Sequence, residues 1–237
     1  MNLEMILFDL DGTLLPMDND AFTKGYFKLL TMKMAPRGYA PEKLIDTVWT
    51  GTAAMVKNDG SRSNEDAFWE TAAGIYGEEI LKDRPVFDEF YAVEFAQSRE
   101  YCGFNPAAAQ TVRQLKTDGL RTALATNPIF PALATQQRIR WAGLEPEEFE
   151  LVTTYENTGL CKPNPAYYLD VAQRLGVDPA ACLMVGNDVG EDMQAAEKAG
   201  MRGFLLKDWL INRENRDISL WPNGSFPELL DYVRTLC

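Results

Sequence analysis

The chain has 237 residues, 46% of them apolar and 24% charged, the proportions of a globular protein with room for one α/β domain and a smaller second unit. Its formal charge of −12, with Lys and Arg scattered, makes nucleic acid and acidic membranes poor partners but leaves room for a small anion held by a metal and local cations. The absence of histidine excludes Ser-His-Asp and Cys-His catalysis, a His-ligated zinc and a His general base.

Residues 5–15, Met-Ile-Leu-Phe-Asp-Leu-Asp-Gly-Thr-Leu-Leu, read as an apolar strand that ends in two aspartates one residue apart. Residues i and i+2 of a strand share a side, so Asp9 and Asp11 start together where the chain turns at Gly12. Residues 16–100 carry no strand pattern. They predict helices over 21–34, 41–56, 64–76 and 85–101, punctuated at Pro36-Arg37-Gly38 and Asn58-Asp59-Gly60-Ser61. From about Asn105 helix and strand alternate. Helices are expected at 106–116, 131–141, 165–175, 191–199 and 226–236, several of them stopped by a glycine. Strands are expected at 120–126, 149–153, 182–185 and 203–206. That alternation predicts a parallel sheet flanked by helices, with ligands beyond the carboxyl ends of its strands. Asp9, Asp11, Thr126, Asn127 and Asp188 then fall on one rim.

Two carboxylates held close raise each other's pKa unless a cation neutralises them, and a hard cation such as Mg²⁺ takes oxygen ligands. Asp-x-Asp-Gly is also a common turn, and it opens EF-hand loops. The EF-hand reading fails because no further ligand follows at the required step and no Glu closes the loop. Three later segments add to the pair. Thr126-Asn127 closes a strand with a hydroxyl and an N–H suited to a phosphoryl oxygen, though Thr-Asn-Pro by itself reads as a turn. Lys162 stands in Cys-Lys-Pro-Asn-Pro, a loop stiffened by two prolines. Gly186-Asn187-Asp188-Val189-Gly190-Glu191-Asp192 places acids four residues apart across a strand end and a helix start, where Asp also serves as an N-cap.

In this order the four segments resemble the motifs of the haloacid dehalogenase superfamily, in its phosphatase branch. The resemblance covers essentially the whole chain. It implies a Rossmann-like parallel sheet flanked by helices, formed by residues 1–15 and 102–237, with residues 16–101 inserted as a C1-type helical cap. It further implies that Asp9 is the nucleophile, forming an aspartyl-phosphate, and that Asp11 is the general acid and base. Thr126, Asn127 and Lys162 would hold phosphate. Asp9, Asp11 through its main-chain carbonyl, Asp188 and Asp192 would hold Mg²⁺. Many relatives have Gly-Asp-Ser where this chain has Gly-Asn-Asp, one residue longer before the first acid, so Glu191 is an alternative to Asp192. Dehalogenases of the superfamily lack the second Asp of the first motif, which favours phosphate over halide here.

The activity expected is Mg²⁺-dependent hydrolysis of a small phosphorylated metabolite, resembling phosphoglycolate phosphatases in cap type. The alternatives are a phosphomutase on the same scaffold and a non-catalytic phosphate-ligand-binding protein. Within the cap, Lys24, Lys57, Arg62, Phe22, Tyr26, Trp49, Phe68 and Trp69 are candidates for contact with the leaving group. No basic-then-apolar leader opens the chain, no apolar run is long enough to span a bilayer, and Cys102, Cys161, Cys182 and Cys237 show no paired spacing. These features point to a cytoplasmic protein with reduced thiols, and a monomer or homodimer is expected.

Overall fold

The computed structural model describes residues 2–236, so Cys237 lies outside the described residues. At its centre, β1 (Met5–Phe8) pairs in parallel with β2 (Arg121–Leu124) on one side and β3 (Cys182–Gly186) on the other. β4 (Arg202–Leu206) and β5 (Asn223–Gly224) continue the sheet beyond β3, giving the order β2-β1-β3-β4-β5. The connection from β1 leads to one side of the sheet and that from β3 to the other, so a crevice opens between their carboxyl ends. This crevice is where Asp9 and Asp188 emerge.

All four residues of β1 are buried because both faces of the sheet are covered. Met5 and Leu7 pack in one layer with α7 (Pro165–Leu175) and α8 (Ala195–Lys198). Ile6 and Phe8 pack in the other with α5 (Pro106–Thr117), α6 (Ala132–Trp141) and α9 (Phe226–Arg234). That second layer runs without a break into the helices that separate β1 from β2: α1 (Asn19–Met34), α2 (Pro41–Val56), α3 (Asn64–Tyr76) and α4 (Arg84–Ala92). Their starts are chemically marked. Asp18 and Ser63 accept main-chain N–H groups at the heads of α1 and α3, and Pro41 opens α2.

The structure departs from the sequence expectations in four places. Residues 149–153 lie beside β2, with Leu124 N–H donating to Leu151 O at 2.8 Å and Thr153 N–H to Leu124 O at 3.1 Å. They pair at a single bridge, Leu124 with Val152, and form no strand of the sheet, because the chain turns away at Thr154, whose N–H donates to Asn157 Oδ1. The helix expected over 191–199 opens as a wide π turn, Val189–Gln194, before tightening into α8. The helix expected over 85–101 ends at Ala92, and Glu94–Tyr101 continues as a 3₁₀ helix. β5 was not foreseen: two residues carry no period to read.

Phe95, with no exposed surface, joins the helical segment to the sheet layer. Its ring meets Phe22, Phe90 and Tyr91 on one side and Phe130 and Trp141 on the other. Phe95→Ala is therefore expected to lower unfolding stability by about 3–5 kcal/mol, read from urea denaturation. A loss under about 1 kcal/mol would mean that the layer repacks.

Cys102, Cys161 and Cys182 are free thiols, and burial pushes them up to about 12, about 12 and about 11. In the native protein at pH 8 these three should be alkylated by iodoacetamide at least about a hundredfold more slowly than in urea, as followed by peptide mass spectrometry.

Candidate active site

Asp9 directly follows β1, and its N–H donates to Val185 O of β3 at 2.9 Å, so the main chain fixes it at the crevice. One carboxylate oxygen, Oδ1, accepts from Lys162 Nζ at 2.9 Å, and the other lies 3.1 Å from the Thr13 hydroxyl. That hydroxyl is also 3.1 Å from Asn187 Oδ1 and donates to one of the two at a time. Gly12 has φ +81°, and a Cβ there would run into the Asn187 amide. The glycine thus serves twice, by admitting the left-handed turn and by letting Asn187 lie against the loop.

Lys162 is 1% exposed and lies between two acids, Asp9 at 2.9 Å and Asp192 at 2.7 Å. Burial by itself lowers the pKa of an ammonium. Here Asp192 and Asp9 overcome that effect and hold Lys162 well above the ordinary lysine range. The second Asp192 oxygen accepts the N–H groups of Asn187 and Asp188, each at 3.0 Å. Both Asp192 oxygens are therefore engaged by protein donors. Asp188 caps the π turn, its Oδ1 taking the N–H groups of Gly190 and Glu191, while its Oδ2 pairs with Arg213 at 2.7 Å.

Asp11 behaves differently. Oδ2 pairs with Arg138, whereas Oδ1 is buried without a partner. Burial raises its pKa, the Arg138 guanidinium opposes the rise, and the Asp9 charge adds to it. Thr126 is buried, and its main-chain oxygen accepts from Thr153 and Tyr167 at 2.7 and 2.9 Å, which fixes the end of β2. Asn127 donates to Glu191 Oε2 at 3.2 Å, and its own Oδ1 is buried and unpaired.

Asp9, Asp11, Thr126, Asn127, Asp188 and Asp192 line one cavity of about 420 Å³, together with Glu191. Lys162 lies behind it, in contact through Asp9 and Asp192. Among the described residues no three carboxylate or thiolate side chains cluster closely enough to form a ready-made metal cage.

Two cations at the site escaped the sequence reading. Arg138 of α6 is almost fully buried, pairs with Asp11 and lies over the Phe130 ring, 4.4 Å from its centroid. It shares a helix face with the buried residues Ala134 and Trp141, so the available signal was a lone arginine on an apolar stripe. Arg213 is exposed, in a charged loop after β4 that gives no periodic signal.

Lys162→Met would leave Asp9 and Asp192 buried beside each other without their cation. The expected loss of stability is about 3–5 kcal/mol at neutral pH, narrowing on acidification as the carboxylates protonate. Urea midpoints at several pH values measure this, and an unchanged midpoint would contradict it.

Comparison with known proteins agrees with this geometry. The family model described as haloacid dehalogenase-like hydrolase matches residues 3–200. Phosphoglycolate phosphatase 1 of Pseudomonas aeruginosa is 28% identical over 209 residues, covering 85% of this chain and 68% of that protein. Glyceraldehyde 3-phosphate phosphatase of Methanothermobacter thermautotrophicus is 25% identical, covering 99% and 98%. Among solved structures, a 2-haloacid dehalogenase from Pseudomonas syringae pv. Tomato superposes with a TM-score of 0.64 at 21% identity, covering 98% of each chain. A HAD phosphatase from Thermococcus onnurineus superposes with a TM-score of 0.60 at 18% identity, again covering 98% of each. The shared fold, the four motifs and the match over most of its length establish that this chain belongs to the haloacid dehalogenase-like hydrolases.

Proposed function

We propose that the chain is a phosphomonoester hydrolase of a small phosphorylated metabolite that works through an aspartyl-phosphate on Asp9. The observation that carries this reading is the convergence of Asp9, Asp11 and Asp188 on one cavity, with Asp9 tied to the buried Lys162. The named phosphatases among its relatives support the same reading. In this reading residues 1–15 and 102–237 form the catalytic core, and residues 16–101 form the cap that closes over the cavity and excludes water.

The donor set fits a hard cation. The ionisable side chains of the core that line the cavity are carboxylates apart from Arg213 and Tyr155, no thiol joins them, and Asp11 Oδ1 lacks a partner. Asp9, Asp188 and the main-chain carbonyl of Asp11 would hold Mg²⁺. Asp192, with both oxygens engaged, would fix the Asn187–Asp188 backbone. When bound, the ion would offset the charge of the phosphoryl oxygens.

The protein's own groups then divide the work. Lys162 and Thr13 orient the Asp9 carboxylate, one at each oxygen. An Asp9 oxygen bonds to phosphorus as the ester P–O bond breaks, and protonated Asp11 gives its proton to the departing alkoxide. Burial helps keep Asp11 protonated for that step, and Arg138 holds its other oxygen in place. Asp11, now a carboxylate, takes a proton from water. The water oxygen bonds to phosphorus, and the Asp9–phosphorus bond breaks to release phosphate. Thr126 and Asn127, at the end of β2, would hold phosphoryl oxygens during both transfers.

Release of p-nitrophenol from p-nitrophenyl phosphate tests this reading. Wild type should turn over with Mg²⁺ and stop on addition of EDTA. Asp9→Asn should lose at least about a thousandfold in kcat with unchanged circular dichroism. Near-normal turnover by the variant would rule out Asp9 as nucleophile.

A further inference from the structure

The cavity has two chemically distinct halves. Its floor, from the ends of β1 and β3, carries the carboxylates. Its roof comes from the inserted helices and is mainly apolar and aromatic, with Phe22 of α1, Val48, Trp49 and Met55 of α2, and Phe68 of α3; Asn19, Thr23 and Thr52 are its neutral polar side chains besides the tyrosines. Among the described residues, no Lys, Arg, Asp or Glu of 16–101 lines it. Lys24, Lys57 and Arg62, the cap cations expected to reach a leaving group, are not among the lining residues, and Arg62 instead pairs with Glu70. Several hydroxyls of the roof are already engaged. Tyr26 and Tyr91 share a hydrogen bond of 2.8 Å, and Thr52 donates to Val48 O at 2.8 Å.

A leaving group that carries a carboxylate would exchange water for this roof without gaining a cation there, since the lining Arg213 lies beside the carboxylates and is paired with Asp188, and a polyhydroxylated one would lose more hydrogen bonds than it gained. An apolar leaving group loses nothing and shields the aromatic rings from water. Trp49 is placed for that role. It is 52% exposed although it lines the cavity, and its ring lies 5.5 Å from that of Phe27. An exposed tryptophan at the mouth of an apolar cavity gains buried surface only when something covers it.

We infer that the leaving group is an uncharged, predominantly apolar alcohol, of the aryl-alkyl kind, with Trp49 as a specificity-determining residue. The phosphoryl half of this assignment rests on the phosphatase reading above.

The test compares primary alkyl phosphates, so that leaving-group acidity differs little: 2-phenylethyl phosphate against 2-phosphoglycolate and glycerol 3-phosphate. Calorimetric binding to Asp9→Asn with Mg²⁺ reads the roof without turnover, and phosphate release by wild type reads the chemistry. 2-Phenylethyl phosphate should bind at least about a hundredfold more tightly than phosphoglycolate. Trp49→Ala placed on Asp9→Asn should weaken the aryl ester about tenfold and leave phosphoglycolate unchanged, while Trp49→Phe should restore most of the loss. Equal or tighter binding of phosphoglycolate, or no binding of either ester, would overturn the assignment. The aryl preference in binding without any turnover by wild type would support the apolar specificity of the roof and of Trp49 and overturn the phosphatase reading, and with it the role of leaving group. Turnover with phosphoglycolate preferred would overturn the assignment and leave that reading standing.

Discussion

A lysine ammonium sealed from water is affordable only if opposite charge surrounds it, and this requirement organises the site. Lys162 meets it with Asp9, which follows β1, and Asp192, in the π turn after β3. Each partner makes a second commitment. Asp9 is held to β3 by its N–H, and Asp192 takes the N–H groups of the β3 loop. A single buried cation therefore links three chain segments, the end of β1, the Lys162 loop and the π turn after β3. The wide turn Val189–Gln194 follows from the same requirement, since Asp192 must fold back on Asn187 and Asp188 while its first oxygen faces Lys162.

The two aspartates of the first motif are similar in sequence and opposite in circumstance. Asp9 has a donor within reach of each oxygen, Lys162 at one and the Thr13 hydroxyl at the other. Asp11 has one oxygen on Arg138 and the other buried without a partner, and burial favours its neutral form. Two carboxyl groups whose surroundings differ in this way are suited to different steps of one reaction. The difference comes from burial; Arg138, 127 positions away in the chain, opposes the rise while holding one Asp11 oxygen in place.

Legibility in the sequence followed the length and period of each signal. β1, α2, α3 and α7 were readable because each had a clear apolar pattern and a chemical boundary, such as Pro41, Asn64 or Gly176. The motif acids were readable because they sit at strand ends, where loops carry chemistry. Residues 149–153 misled because an apolar run predicts extended chain, while sheet membership depends on how far the neighbouring chain runs alongside. The engagement of both Asp192 oxygens was not legible, since hydrogen bonds from main-chain N–H groups leave no trace in side-chain spacing. Nor was the neutral roof. Lys24, Lys57 and Arg62 occur at plausible positions, and only the packing of α1, α2 and α3 decides which side chains turn inward.

The two ends of the helical segment meet. Met17 bridges Cys102 in antiparallel fashion, and the Gly103 N–H donates to Pro16 O at 2.7 Å. A segment whose entry and exit lie side by side makes no demand on the distance between β1 and α5. Its length can change at small entropic cost to the sheet, as with loops whose ends are adjacent, provided the apolar seam around Phe95 is kept. The floor is tied down by Lys162 and the strand ends, whereas the roof hangs from one closed neck and is held otherwise by the apolar seam around Phe95.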